Sequence, residues 1–255
     1  MLKLVLLRHG ESICNRNNCF TGWTDIDLSG TGIKQVKEAG KILKKEGFIF
    51  DTSFTSILKR SIRSLWIILD ILDLMWIPVK KSWRLNERFY GALQGLNKAD
   101  TTKKYGEIQV LKWRRGYEIR PPEVNRHDIR YPGSDSKYSN LSQKELPTSE
   151  SLKDTVNRIL PYWYETIAPN IKSGKKVLLV GHGNSLRALV KHFDNVSSSE
   201  IAKVNIPLGT PLVYELSEKL KPVNKYYLGE DKKVKEAMEF IASQHKNNER
   251  INYNV

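Results

Sequence analysis

The chain has 255 residues, 40% of them hydrophobic, and a formal net charge of +14. Such a chain can bury a large core, which argues against disorder, and no stretch approaches the ~18 uncharged apolar residues of a membrane span. Its lysines are dispersed along helix faces (Lys34, Lys37, Lys41, Lys44, Lys45) with no zinc-finger or RNA-binding signature beside them, so the charge reads as a solvated surface that can draw small anions to a cleft, not as a nucleic-acid footprint.

The opening MLKLVLL is too short and lacks the cleavage site of a signal peptide. It reads as a strand over residues 2–7 in a cytoplasmic protein. The strand stops abruptly on Arg8-His9-Gly10-Glu11-Ser12. Cys14 and Cys19 follow in a polar loop with neither redox nor zinc spacing, and read as reduced thiols. Leu28-Ser29-Gly30 opens a helix whose apolar positions Ile33, Val36, Gly40 and Leu43 recur at helical spacing, with Gly47 as its stop. A short strand over 53–56, a helix from Leu58 with Ile62, Leu65, Trp66 and Leu69 toward a core, and an extended piece from Pro78 come next. After residues 86–148 the pattern resumes: a helix over 151–168, a strand over 177–180, a helix over 184–193, extended pieces over 212–216 and 223–227, and a helix over 231–243. This alternation predicts an α/β fold, a three-layer α/β/α sandwich around a mostly parallel sheet. The interval 86–148, with Arg114-Arg115 and Pro121-Pro122, is too long for an ordinary connection and reads as a lid-like insertion within one domain spanning 1–244. Residues 245–255 read as a polar, mobile tail.

Two apolar runs end on histidine followed by glycine: His9-Gly10 and, within KKVLLVGHGNS, His182-Gly183. Ligands of α/β sheets bind outside the carboxyl ends of the parallel strands, where both histidines would sit. One such histidine alone is more often a hydrogen-bonded turn residue. Two, each beside glycine and small polar residues, suit an anion, and Arg8 beside His9 adds a fixed guanidinium that favours phosphoryl chemistry over metal binding.

The segments RHGES with Asn15, FTGWTDIDLS, TSILKRS, LNERFYGALQGLNK, WRRGY, ELPTSESLKDT and GHGNSLRALVK, in this order from Lys3 to about Gln244, resemble the cofactor-dependent phosphoglycerate mutases of the histidine phosphatase superfamily. The resemblance implies the phosphoglycerate mutase-like fold and interconversion of 3-phosphoglycerate and 2-phosphoglycerate in glycolysis and gluconeogenesis. It also implies priming by 2,3-bisphosphoglycerate, no metal, no nucleic-acid or membrane partner, and a homodimer or homotetramer. His9 matches the nucleophile that becomes phosphohistidine, a role open to neutral imidazole near pH 7. Arg8, Arg60 and His182 match the groups around the transferring phosphoryl, and Glu87 the general acid/base. Gly10, Glu11, Ser12, Asn15, Thr21, Gly22, Arg88, Phe89, Tyr90, Lys98, Arg114, Arg115, Gly183 and Asn184 complete the implied substrate site.

Four positions depart from the pattern. Phe89 stands where histidine is common, Cys14 where an aromatic is usual, Gly181 where alanine is usual and Leu208 where threonine is usual; none removes a group assigned to chemistry. Trp66, Trp76, Trp83, Trp113 and Trp163 read as core or interface packing. The alternatives are a bisphosphoglycerate synthase or phosphatase, a broader histidine phosphatase, and a catalytically silent binding protein on the same fold.

Overall fold

The computed structural model describes residues 1–244. Its regular elements are β1 (Leu2–Arg8), α1 (Ile13–Arg16), α2 (Gly30–Lys45), β2 (Thr52–Thr55), α3 (Lys59–Leu72), β3 (Val79–Lys81), α4 (Lys98–Tyr105), α5 (Glu107–Arg115), α6 (Leu152–Tyr162), α7 (Ala168–Lys172), β4 (Val177–Gly181), α8 (Gly183–Phe193), β5 (Pro211–Leu216), β6 (Pro222–Tyr227) and α9 (Asp231–Ser243). The sheet order is β3-β2-β4-β1-β5-β6. β3, β2, β4 and β1 run parallel, whereas β5 and β6 join antiparallel at the β1 side.

Helices cover both faces, which is why the central strands are continuous apolar runs and not alternating ones. Leu4 and Leu6 of β1 face a cluster with Leu152, Val156 and Ile159 of α6 and Leu186 and Leu189 of α8. Val5 and Leu7, one residue out of phase, face Val36 and Leu43 of α2 and Leu65, Ile68 and Leu69 of α3. The three layers follow from this two-residue period. Local signals set the helix ends. The Ser29 side chain accepts from the Gly32 amide at the start of α2, and α3 closes on Asp73 in the left-handed region at φ 56°.

Some expectations shift. The expected helix over 151–168 is α6, which contains Pro161, followed by a π-type turn over Trp163–Ile167 and then α7, which carries Pro169 in its first turn. Trp163 is buried, but Trp66 and Trp76 are 56% and 76% exposed and do not enter the core; on α3, the inward face belongs to Leu65, Ile68 and Leu69. Within the interval 86–148, α4 and α5 are accompanied by short 3₁₀ turns at Gly91–Leu93, Pro132–Ser134 and Ser136–Tyr138. Phe89, Val124, Tyr131 and Tyr138 pack there with Trp23 as a satellite core. The expected tail over 245–255 lies outside the described residues.

Candidate active site

The register of β1 and β4 explains why the two histidines meet. Arg8 pairs with Gly181 on the last rung, so residues 9 and 182 leave the sheet side by side, with the His9 amide donating to Gly181 O at 3.0 Å. The ring centroids are 4.9 Å apart with planes at 62°. β2, on the other side of β4, ends beside them, and Ser56 Oγ lies 2.7 Å from His182 Nε2. Its following helix delivers Arg60.

His9 Nδ1 lies 2.6 Å from Gly10 O, and a carbonyl only accepts, so Nδ1 carries the proton and Nε2 keeps its lone pair. Arg60 Nε donates toward that Nε2 at 3.4 Å. Burial, followed by the positive fields of Arg60 and Arg8, holds the His9 pKa well below its usual value. His182 is likewise lowered by burial, then by Arg60, His9 and Arg8. Both rings are therefore neutral at physiological pH. A neutral imidazole with a defined basic nitrogen beside a guanidinium has the chemistry to act as a nucleophile toward an electrophile that carries negative charge.

Arg60 is fixed by donation to Thr24 O at 2.9 Å and Gly22 O at 2.8 Å, and burial lowers its pKa to about 10, leaving it charged at neutrality. Gly22 itself has φ +56°, and a Cβ there would lie 1.8 Å from Gln94 Oε1; that oxygen holds the Trp23 amide. Glu87 Oε1 accepts from the Arg88 amide at 2.8 Å and from the Asn184 amide, at the N-terminus of α8, at 3.0 Å. Its carbonyl oxygen takes Trp23 Nε1 at 2.6 Å and Arg158 Nη2 at 3.0 Å.

Next to Arg8 the chain leaves a cavity lined, among the described residues, by five cations, Arg8, Lys98, Arg114, Arg115 and Arg187, and a single carboxylate, Glu87, together with Asn15, Thr21, Gly22, Tyr90, Gly183 and Asn184. Gly183 lies against the Arg8 guanidinium, where a Cβ would stand 3.2 Å from Cζ. Burial is the largest cause lowering the pKa of Lys98, Arg114 and Arg115. The end of α9 closes the cavity to about 70 Å³, with Gln244 Oε1 accepting from Lys98 Nζ at 3.0 Å and Arg114 Nη2 at 3.5 Å.

Of the residues implied by sequence, most converge here, but five do other work. Phe89 is wholly buried edge-on to Trp23 at 5.7 Å and does not line the cavity; its amide binds Glu150 Oε2. Glu11 accepts from Ser29 Oγ at 2.5 Å. Gly10 packs against the Gly32 backbone. Ser12 caps α1, accepting from the Asn15 amide at 3.1 Å while its own Oγ donates to Asn15 Oδ1 at 2.9 Å. Arg88 stacks on Tyr90 at 4.5 Å and donates to Arg114 O at 2.7 Å. Arg158, Arg187, Ser56 and Gln244 went unnoticed in the sequence. Only Arg187 had a local signal: it lies one helical turn beyond Asn184, on the same face.

A paired-histidine site at parallel strand ends, ringed by buried guanidinium groups, defines an enzyme that transfers or removes a phosphoryl group. The chain matches the model of the histidine phosphatase superfamily (branch 1) over residues 4–131 and 126–227, and belongs to that superfamily, whose chemistry runs through phosphohistidine. Solved structures share the fold. A mycobacterial glucosyl-3-phosphoglycerate phosphatase complexed with VO3 is 22% identical, with a TM-score of 0.64 over 84% of this chain and 93% of that one. The α-ribazole phosphatase of Shigella flexneri is 18% identical, with a TM-score of 0.62 over 88% and 95%. A protein described as mycobacterial hydrolase 1 is 21% identical, with a TM-score of 0.66 over 89% and 96%. Among the described residues, no group of three or more His, Cys, Asp or Glu is placed to hold a metal ion, and no helix is long and apolar enough to cross a membrane.

Proposed function

We propose that the protein is a phosphoglycerate mutase that interconverts 3-phosphoglycerate and 2-phosphoglycerate through phospho-His9. The observation that carries this reading is the excess of buried cations over carboxylates in the cavity. Among the described residues five cations face one carboxylate, and Arg8 Nε and Arg114 Nη1, on two of those cations, are buried without a partner. Unmatched buried donors are costly, and a ligand with several anionic groups satisfies them in a way that one phosphate on His9 does not. The same donors fit 2,3-bisphosphoglycerate, which Arg8, Lys98, Arg114 and Arg115 would hold; when bound it supplies the phosphoryl group that primes His9.

In this reading His9 Nε2 attacks phosphorus in line with the departing oxygen, and Arg8, Arg60 and His182 take up the charge that develops on the equatorial oxygens. Glu87, held by two backbone amides, receives the proton of the acceptor hydroxyl as that oxygen attacks phospho-His9, and returns it in the reverse step. Tyr90 and Asn184 orient the acceptor. The reaction proceeds in the cytoplasm. Self-association as a homodimer or homotetramer belongs to the same reading, with exposed Trp66, Met75 and Trp76 beside the edge strand β3 as its apolar surface; sedimentation velocity checks it.

A phosphatase is the second reading, favoured by the likeness to glucosyl-3-phosphoglycerate phosphatase and α-ribazole phosphatase. One experiment separates the two. Purified protein primed with 2,3-bisphosphoglycerate is given 3-phosphoglycerate, and 2-phosphoglycerate and inorganic phosphate are measured together. Isomer formation in large excess over phosphate supports the mutase; phosphate release equal to or above isomer formation makes the protein a phosphatase. Label from the primer is expected on His9 as an acid-labile, base-stable adduct absent from His9→Ala, and vanadate is expected to inhibit.

A further inference from the structure

Arg187 sits in α8, 3% exposed, one turn beyond Asn184. Its Nη1 donates to Asn184 Oδ1 at 2.8 Å, and its Nη2 donates to Ile201 O at 2.5 Å and Arg115 O at 3.3 Å. Its Nε is buried without a partner among the described residues. Among the described residues, every acceptor it has is neutral. The neighbouring charges there are Arg88, Arg114 and Arg115, of its own sign, and Glu87. Burying a guanidinium without a counter-ion is an expensive way to tie segments together, so the arrangement calls for a gain made elsewhere.

That gain lies in what the fork holds. With Asn184 Oδ1 taken by Arg187, the amide cannot flip, and its Nδ2 must point at Tyr90 OH, 3.1 Å away. The backbone amide of the same residue holds Glu87 Oε1. The other arm of the fork grips the carboxyl end of α5, whose last two residues are the clamp cations Arg114 and Arg115. One side chain thus sets the acid/base, the acceptor-side hydroxyl and two cations relative to one another.

We propose that Arg187 is a positioning residue for phosphoryl transfer, fixing Asn184 and through it Glu87 and Tyr90 while holding the end of α5, with the bound polyanion as its counter-charge. The role rests on the mutase reading only for the identity of the acceptor. A misplacement of about 1 Å in such a constellation costs about 10²-fold in rate, and lysine keeps the charge but not the planar fork.

The test compares full-length wild type, Arg187→Ala, Arg187→Lys, Asn184→Ala and the Arg187→Ala/Asn184→Ala double variant, with vanadate affinity measured beside turnover. Arg187→Ala is expected to lower kcat/KM about 100-fold, with kcat and KM both affected, and Arg187→Lys to recover less than about a tenth of the loss. The double variant is expected to be no worse than the poorer single variant, because the two residues act as a unit. Added guanidinium ion is expected to restore activity to Arg187→Ala but not to the double variant. A kcat/KM for Arg187→Ala within threefold of wild type overturns the proposal. So does a loss that adds fully to that of Asn184→Ala and does not respond to guanidinium, which marks a merely structural residue. If Arg187→Ala does not fold, the cycle is run with Arg187→Lys and judged by the same additivity. Wild type that binds vanadate and hydrolyses phosphoesters without isomerising phosphoglycerate overturns the mutase reading alone, and the cycle is then scored on hydrolysis.

Discussion

Glu87 and Phe89 are two residues apart, and their surroundings assign them opposite work. Glu87 is held by main-chain donors from two segments, a geometry that survives loss of its charge. Glu87→Gln is therefore expected to fold normally and to lower the chemical step by about 10²- to 10⁴-fold, with ligand affinity changed far less; single-turnover transfer from phospho-His9 measures it, and near wild-type transfer would make Glu87 structural. Phe89 stands where the resembling family commonly has histidine, and the sequence left open whether the loss of an imidazole disturbs Glu87. The structure answers through packing: the ring is fully buried between Trp23 and the satellite core, an apolar site that would leave an imidazole nitrogen unsatisfied. Phe89→His is expected to destabilise the fold by about 1–3 kcal/mol, read as a lower denaturant midpoint at constant slope. An unchanged midpoint would show that a hydrogen-bond partner waits there.

At the scale of elements, the site was legible where function and local pattern coincide. His9 and His182 end apolar strands, Ser29 and Gly47 bracket α2, and the register of β1 and β4 then brings the strand ends together without further information. What the sequence hid comes from distant segments. Arg158 of α6 reaches back 71 to 74 residues to the carbonyls of Arg84, Asn86 and Glu87, and pairs with Glu150 at 2.6 Å, both side chains nearly buried. On a helix predicted from periodicity alone, this arginine reads as one more solvated charge. The π-type turn over Trp163–Ile167 was equally hidden, since the apolar spacing continues through it. Arg158→Ala would leave Glu150 uncompensated and free the loop that presents Glu87. It is expected to cost about 3–5 kcal/mol and to lower kcat as well as stability, measured by chemical denaturation and by turnover of the folded fraction. A loss below about 1 kcal/mol would mean that the pair behaves as an exposed one and that the loop is held by other contacts.

For the whole molecule, the decisive feature is a basic chain that gathers part of its charge inside, where burial opposes every charged form. His9 and His182 are both lowered, first by burial and then chiefly by Arg60. Their unfolded-state pKa is about 6.5. Between that value and the lower folded value, the unfolded chain binds more protons, so stability rises with pH across this window. The contribution is fully present above about pH 6.5 and is lost as pH falls toward the folded values, by at most about 1.4 kcal/mol per pH unit for each group. His192 is shifted in the same direction by burial and leaves a remainder that substitution of the two site histidines does not remove. Wild-type protein is therefore expected to lose denaturation free energy between pH 7 and pH 5, and His9→Gln/His182→Gln to lose measurably less over the same interval. Inorganic phosphate or vanadate, bound only by the folded state, is expected to raise stability at both pH values and to shrink the acid loss, because an anion beside Arg60 and Arg8 offsets the field that disfavours imidazolium. Since burial outranks that field among the causes, the anion should reduce the loss without abolishing it. Equal acid losses in wild type and double variant would place the sensitivity elsewhere in the charge assembly, and an acid loss untouched by phosphate would show that desolvation alone keeps the histidines neutral.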